Sequence, residues 1–349
     1  MKNWKRMLSL AMSTVMLVGI LSGCGAKEEP APAPAPAPAP EQSQPAEPAP
    51  APETPAWEPT KTINCIVPFG AGGGTDVMAR AVAAATDLPE GMIITNITGG
   101  GSSIGGMEAY HADPDGHTIF CVGLEALIAG VHSGTYPEAD SYEKFIPLCS
   151  AGDDHFVITA SKQSGFKSLE DVVNYAKANP GKMSCAGTGS MSITNAATIM
   201  FFKGCDIDVQ YVPYDGAASN RAAVMGGHNE ISCLLVSEAA AAIASGDLVP
   251  ICVLGDERSE FLPDVPAASE VGDYNIPVSF HRAYFCTPGT PDEIVEALEK
   301  VMEEACANPE TQDTLRSLYY VPHYVGADEL KELGDVRYEE LREVFANLG

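Results

Sequence analysis

Two glycine-bearing stretches carry the residue types best suited to chemistry in this chain of 349 residues. The first, Pro68-Phe69-Gly70-Ala71-Gly72-Gly73-Gly74-Thr75-Asp76, follows an apolar run and opens a helical pattern. Glycines let the backbone turn sharply and bring its N–H groups close to a ligand. A helix start adds free donors and a partial positive charge, which favour a carboxylate or phosphate. The second stretch, Gly187-Thr188-Gly189-Ser190, is followed by Ser192 and Thr194. Their hydroxyls can donate to an anion or cap a helix, and both roles stay open.

Other spacings nominate less. Gly70 and Gly72 supply the first two glycines of a dinucleotide fingerprint, but Thr75 stands at the third, and no Walker lysine follows. Gly101-Ser102-Ser103-Ile104-Gly105 matches the G-x-S-x-G of serine hydrolases and makes Ser103 a candidate nucleophile, the alternative from another functional class. The seven histidines show no His-x-x-His spacing, and Asp113-Pro114-Asp115-Gly116-His117 reads as a turn rather than a calcium loop. No metal or cofactor motif emerges.

The elements that must position these loops follow an α/β grammar. Strands are expected at Ile63–Phe69, Met92–Asn96, Thr118–Val122, Met183–Ala186 and Val209–Val212, with helices between them. Thr75 to Ala85 shows a helical face of Val77, Met78, Ala81 and Val82, and a further helix is expected over Ile104 to Ala112. Ser168 and Asp171 form a capping box for a helix to Ala178. Thr290-Pro291-Asp292-Glu293 opens a helix to about Ala307, with Ile294, Leu298, Val301 and Met302 inward. Two half-chains, each with a glycine-bearing strand-to-helix turn, point to two similar lobes and a largely parallel sheet.

The N-terminal region is of another kind. Lys2, Lys5 and Arg6 precede an apolar run from Met7 to Ile20, and Leu21-Ser22-Gly23-Cys24 follows. This is the order of a secretory signal ending in a bacterial lipobox, with 1–23 removed and Cys24 acylated. The apolar run is shorter than the roughly 20 residues a spanning helix needs, and two acyl chains suffice for anchoring. Residues 24–59 hold an alternating Pro-Ala tract that cannot bury a core. At about 3.1 Å per residue it is a tether reaching roughly 100 Å. Both features predict an extracytoplasmic, membrane-anchored protein.

The formal charge is −27. Without the three signal-peptide cations it stands near about −30, which excludes nucleic acid as a partner. The nine cysteines after Cys24 are scattered, contain no C-x-x-C, and sit largely in apolar runs. They read as small buried hydrophobes.

The chain resembles the solute-receptor family of tripartite tricarboxylate transporters, the TctC or Bug receptors. The resemblance is carried in order by Ile66-Val67-Pro68-Phe69, Gly72-Gly73-Gly74-Thr75-Asp76, Ala79-Arg80, Gly105-Gly106, Asp113-Pro114-Asp115-Gly116-His117-Thr118, Val212-Pro213-Tyr214, Gly226-Gly227, Leu262-Pro263-Asp264-Val265-Pro266 with Glu270, and Pro288-Gly289-Thr290-Pro291. It implies a two-lobed periplasmic-binding-protein fold of type II. Hinge strands are expected near Pro147–Ala160 and Leu248–Leu254, lobe 1 over 60–152 and 251–349, and lobe 2 over 153–250.

It further implies a small organic carboxylate (tricarboxylate, dicarboxylate or acidic amino acid) between the lobes, passed to integral membrane permease subunits. Phe69 and Gly72 to Asp76 would hold one end, and Gly187 to Ser190, Ser192, Thr194 and Tyr214 the other. Glu125 and Asp215 depart from the family pattern. Acidic groups there suit a ligand with an ammonium group, unless Glu125 points to solvent. A sensing role, with the loaded lobes addressing a signalling partner, is the remaining alternative.

Overall fold

The structure is a computed structural model that describes residues 57–271 and 279–346. The signal segment, Cys24 and most of the proline-rich tract lie outside the described residues. Chain order is β1 (Ile63–Val67), α1 (Gly74–Ala85), β2 (Met92–Asn96), α2 (Ser103–Tyr110), β3 (Thr118–Gly123), α3 (Leu124–His132) and the long β4 (Ile146–Ser161). There follow α4 (Leu169–Ala178), β5 (Ser184–Thr188), α5 (Ile193–Gly204), β6 (Gln210–Tyr214), α6 (Ala217–Met225), β7 (Ile231–Leu235), α7 (Val236–Ala244) and β8 (Leu248–Leu254). The chain closes with α8 (Ala268–Val271), β9 (Ser279–Cys286), α9 (Asp292–Ala307), α10 (Pro309–Ser317), β10 (Val321–Gly326) and α11 (Ala327–Ala346).

The strands run in the order β2-β1-β3-β9-β4-β7-β5-β6, with β8 and β10 also on β4. The two ends are parallel: β1 joins β2 and β3, and β5 joins β6 and β7. The middle departs from the expected largely parallel sheet. There β4 is antiparallel to β9 and β10 along its first half, and to β7 and β8 along its second. A chain that builds one parallel set, crosses to build another and then returns must run its crossing strands in opposite directions. The strand expected near Pro147–Ala160 is β4 and spans both sets. Leu248–Leu254 is a strand as well, but it pairs with the second half of β4 throughout. A boundary at residue 250 therefore cuts β8, and the return to the first set falls between β8 and β9.

Local rules explain most elements. Ser168 and Asp171 form the capping box at α4. On α1 the inward residues are Met78, Ala79 and Val82, so the buried stripe is rotated from the Val77–Ala81 side toward β1. On α9, Ile294, Leu298 and Met302 face inward together with Ala305 and Cys306. All nine cysteines described are free and buried.

An apolar core continues across the crossing strands, joining Phe120 and Val122 of β3, Phe156 and Ile158 of β4, Cys185 of β5 and Phe201 of α5. Two glycines fix its packing at one place. A methyl group at Gly106 of α2 or Gly130 of α3 would run into opposite edges of the buried Tyr136 ring. Gly106→Ala and Gly130→Ala should each destabilise by about 1–3 kcal/mol, because a packed core resists added volume. Gly216→Ala is the matched control, since its φ is −172° and its methyl would meet nothing within 4 Å. Melting curves should show a drop of several degrees for the first two only.

Candidate functional site

The first glycine loop is pinned from below by Asp76. One carboxylate oxygen of Asp76 accepts the Gly72 N–H at 2.8 Å and Arg80 Nε at 3.1 Å. The other takes Asn96 Nδ2 at 2.9 Å and pairs with Arg80 Nη2 at 2.8 Å. Asn96 Nδ2 also donates to the Phe69 carbonyl at 2.9 Å. Burial works to raise the Asp76 pKa, but Arg80, the Gly72 amide and Asn96 outweigh it and hold it below the ordinary value. Asp76 is thus corrected from ligand contact to loop staple, because its lone pairs are spent inside the protein. Gly73 N–H bonds the Gly70 carbonyl at 3.1 Å, and Gly72 turns with φ +78°. The amides of Gly74 and Thr75 open α1 with no carbonyl one turn back.

Arg282 stands beneath this helix start, and the sequence reading had missed it. Its Nη1 donates to Thr75 Oγ1 at 2.6 Å, and its Nη2 faces Asp154 Oδ2 at 3.4 Å. The guanidinium carbon lies 4.8 Å from the Phe280 ring centroid and 5.5 Å from that of Tyr320. Asp154 is itself held by the start of α7, where Ser237 donates both N–H, at 3.3 Å, and Oγ–H. Glu238 accepts the Leu235 N–H at 3.1 Å at the same helix start. Burial pushes the Asp154 and Glu238 carboxyls up, against the pull of Arg282. One signal was available: His281-Arg282 interrupts an otherwise apolar strand, and a buried charge requires a partner.

The second loop leaves β5 through Gly189, φ +73°, and enters α5 at Ser192. Ser192 Oγ accepts the Asn195 N–H at 3.2 Å and donates to the Thr188 carbonyl, so it caps the helix. Tyr211 donates to the Gly189 carbonyl at 2.9 Å, and its ring occupies the space a Gly187 side chain would need. Ser190 is exposed and Thr194 buried. Tyr214 OH donates to Asn229 Oδ1 at 2.7 Å, and Asp215 is exposed. Among the described residues, no hydrogen bond or ion pair joins this loop to Gly70–Asp76.

Glu125 neither faces solvent nor stands free for a cationic group. It is 1% exposed, and accepts the His281 N–H at 2.9 Å and faces His281 Nδ1 at 2.7 Å. Both carboxylate oxygens are taken by one residue of β9, which corrects each expectation for it. His281 Nε2 lies 3.6 Å from Asp153, whose other oxygen is 2.6 Å from His323 Nδ1.

Ser103 begins α2 after four residues of positive φ, Gly99 to Ser102. Among the described residues, no histidine or carboxylate hydrogen-bonds its hydroxyl. Asp115 closes its turn on the His117 N–H at 3.0 Å. Among the described residues, no group of three or more metal-binding side chains converges, and no helix is long and apolar enough to cross a membrane.

Two parallel half-sheets joined by antiparallel crossing strands, with glycine turns into helix starts, define the class of a periplasmic binding protein. The model of the TctC family, the tripartite tricarboxylate transporter family receptor, matches residues 78–343, and the chain belongs to that family. A UPF0065 protein of Bordetella pertussis is 28% identical over 255 residues, covering 72% of this chain and 78% of that protein. The structure of the periplasmic binding protein BugD aligns with a TM-score of 0.75 at 24% identity, covering 83% of this chain and 98% of that one. MatC from Rhodopseudomonas palustris, solved with bound malate, aligns with a TM-score of 0.71 at 24% identity, covering 82% and 99%.

The His281–Glu125 pair has a pH signature. Burial opposes the imidazolium, but Glu125 and Asp153 outweigh both burial and Arg337 and raise its pKa above the ordinary 6.5. A raised folded-state pKa contributes stability that is complete below the unfolded value and lost as pH rises through the folded value. The melting temperature of wild type relative to His281→Gln should therefore be highest near pH 5.5 and shrink above neutrality. A gap that stays constant from pH 5.5 to 8.5 would refute the charged pair.

Proposed function

We propose that this protein is an extracytoplasmic, lipid-anchored receptor that captures a small organic carboxylate and delivers it to an integral membrane permease. The observation that carries this reading is the first glycine loop. It is held rigid by Asp76, ends in the open amides of α1, and has the Arg282 guanidinium behind it. Positive potential from backbone dipoles and a buried cation converges there, on a chain of formal charge −27. Family membership supports the receptor role, and malate bound to the MatC relative supports the ligand class. The second half of the sheet forms the other lobe, with its glycine loop contributing backbone donors. Binding closes the lobes as a population shift toward the state the ligand prefers.

The ligand class is tested by native mass spectrometry of the purified protein and a thermal-shift panel of dicarboxylates, tricarboxylates and acidic amino acids. A true ligand at about 100 times its dissociation constant adds roughly 2.7 kcal/mol of stability, a rise of several degrees. No shift across the panel, together with ester turnover abolished by Ser103→Ala, would establish the hydrolase instead.

The anchor is tested on the full chain. Cys24→Ser should release the protein from the membrane fraction and abolish incorporation of labelled fatty acid. Retention of the label in the variant would place the lipid elsewhere.

A further inference from the structure

Arg282 is 2% exposed, and its Nε has no hydrogen-bond partner. A guanidinium carries five N–H donors. Here one meets Thr75 closely, and another meets Asp154 only at 3.4 Å, long for a charge-assisted bond. Asp154 is better served by Ser237 and by the His155 N–H at 2.9 Å than by the cation beside it. The cation also stands against a like pole. A Cβ placed on Gly74, the first residue of α1, would lie 2.8 Å from Nη2, so the guanidinium abuts the positive end of the helix. A loosely paired charge with an unpartnered donor, set beside a helix N-terminus, has the chemistry to receive an anion.

We infer that Arg282 is the specificity-determining cation of the receptor: at the start of α1 it takes one ligand carboxylate on its Nε and Nη2 donors, and Asp154 is the resident counter-ion that this carboxylate displaces. The assignment rests on the carboxylate-receptor reading and names the side chain that enforces it. The rings of Phe280 and Tyr320 lie 4.8 and 5.5 Å from the guanidinium carbon and restrict its movement, which favours bidentate recognition. Gly74 is required because a side chain there would occupy the space between the fork and the helix amides. On displacement Asp154 keeps its bonds to Ser237 and His155, so its release costs little hydrogen bonding. Asp154 sets the threshold: only an anion that pairs with Arg282 better than Asp154 does can enter.

The test is calorimetry with malate, succinate, glutarate, adipate and glutamate, on wild type and three variants whose folding is followed by melting curves. Asp154→Asn should tighten binding several-fold, because the competing charge is gone. Arg282→Gln should weaken it by about tenfold or more, the loss of one charge-assisted fork. The double variant Arg282→Gln/Asp154→Asn removes the cation and the carboxylate paired with it, leaving Glu238 in place. It should melt closer to wild type than Arg282→Gln alone, yet bind as weakly as Arg282→Gln. A folded double variant that binds like wild type would reduce the pair to a structural role and overturn the inference. If wild type binds none of the five, the carboxylate reading falls first and this assignment with it.

Discussion

The antiparallel crossing of β4 and β9 is the constraint on which the site depends. Their register runs from Ile146 opposite Cys286 to His155 opposite Ser279, with Asp153 opposite His281 and Gly152 opposite Arg282. Successive side chains alternate between faces. Asp153 and His281 therefore share one face, while Asp154 and Arg282 meet diagonally on the other. Gly152, opposite Arg282, lets β10 approach closely, since a Cβ there would lie 3.0 Å from the Val321 carbonyl oxygen. One pair of strands thus builds two ionic centres on opposite faces, where the two parallel half-sheets are joined.

The two centres differ in how well they are satisfied. Glu125 spends both oxygens on His281, and that pair ties α3 to β9. Arg282 is caged by aromatic rings and a helix start but paired loosely. Buried ion pairs add stability only where geometry and extra hydrogen bonds repay desolvation. The first meets that condition; the second keeps unused donors beside a helix N-terminus, as a binding site does.

Much of the fold was legible because its causes are local. The capping box at Ser168, the β2 boundaries and the burial of the cysteines follow from residues within a turn or a strand of one another. The family followed from ordered motifs. The site was legible only in part. Both glycine turns stand where they were expected, and Ser192 is indeed a helix cap, but Asp76 and Glu125 proved to be fully engaged within the protein. For Glu125 the partner responsible, His281, lies far off in sequence, whereas Asp76 is engaged mostly by Gly72 and Arg80, four residues to either side, with Asn96 added from β2. Arg282 meets Thr75 across 207 positions. No periodicity encodes such an encounter.

By itself the sequence determined the family, the α/β alternation, the two glycine turns into helices, and the apolar character of the cysteines. Each rests on short-range propensity or on a motif written contiguously. Tertiary structure alone decided that β4 and β9 cross antiparallel, that Glu125 is taken up by His281, and that a cation stands behind Gly74. The reason is physical. The role of a charged side chain is set by which partner reaches it after water is excluded, and that choice is made when distant strands come into register.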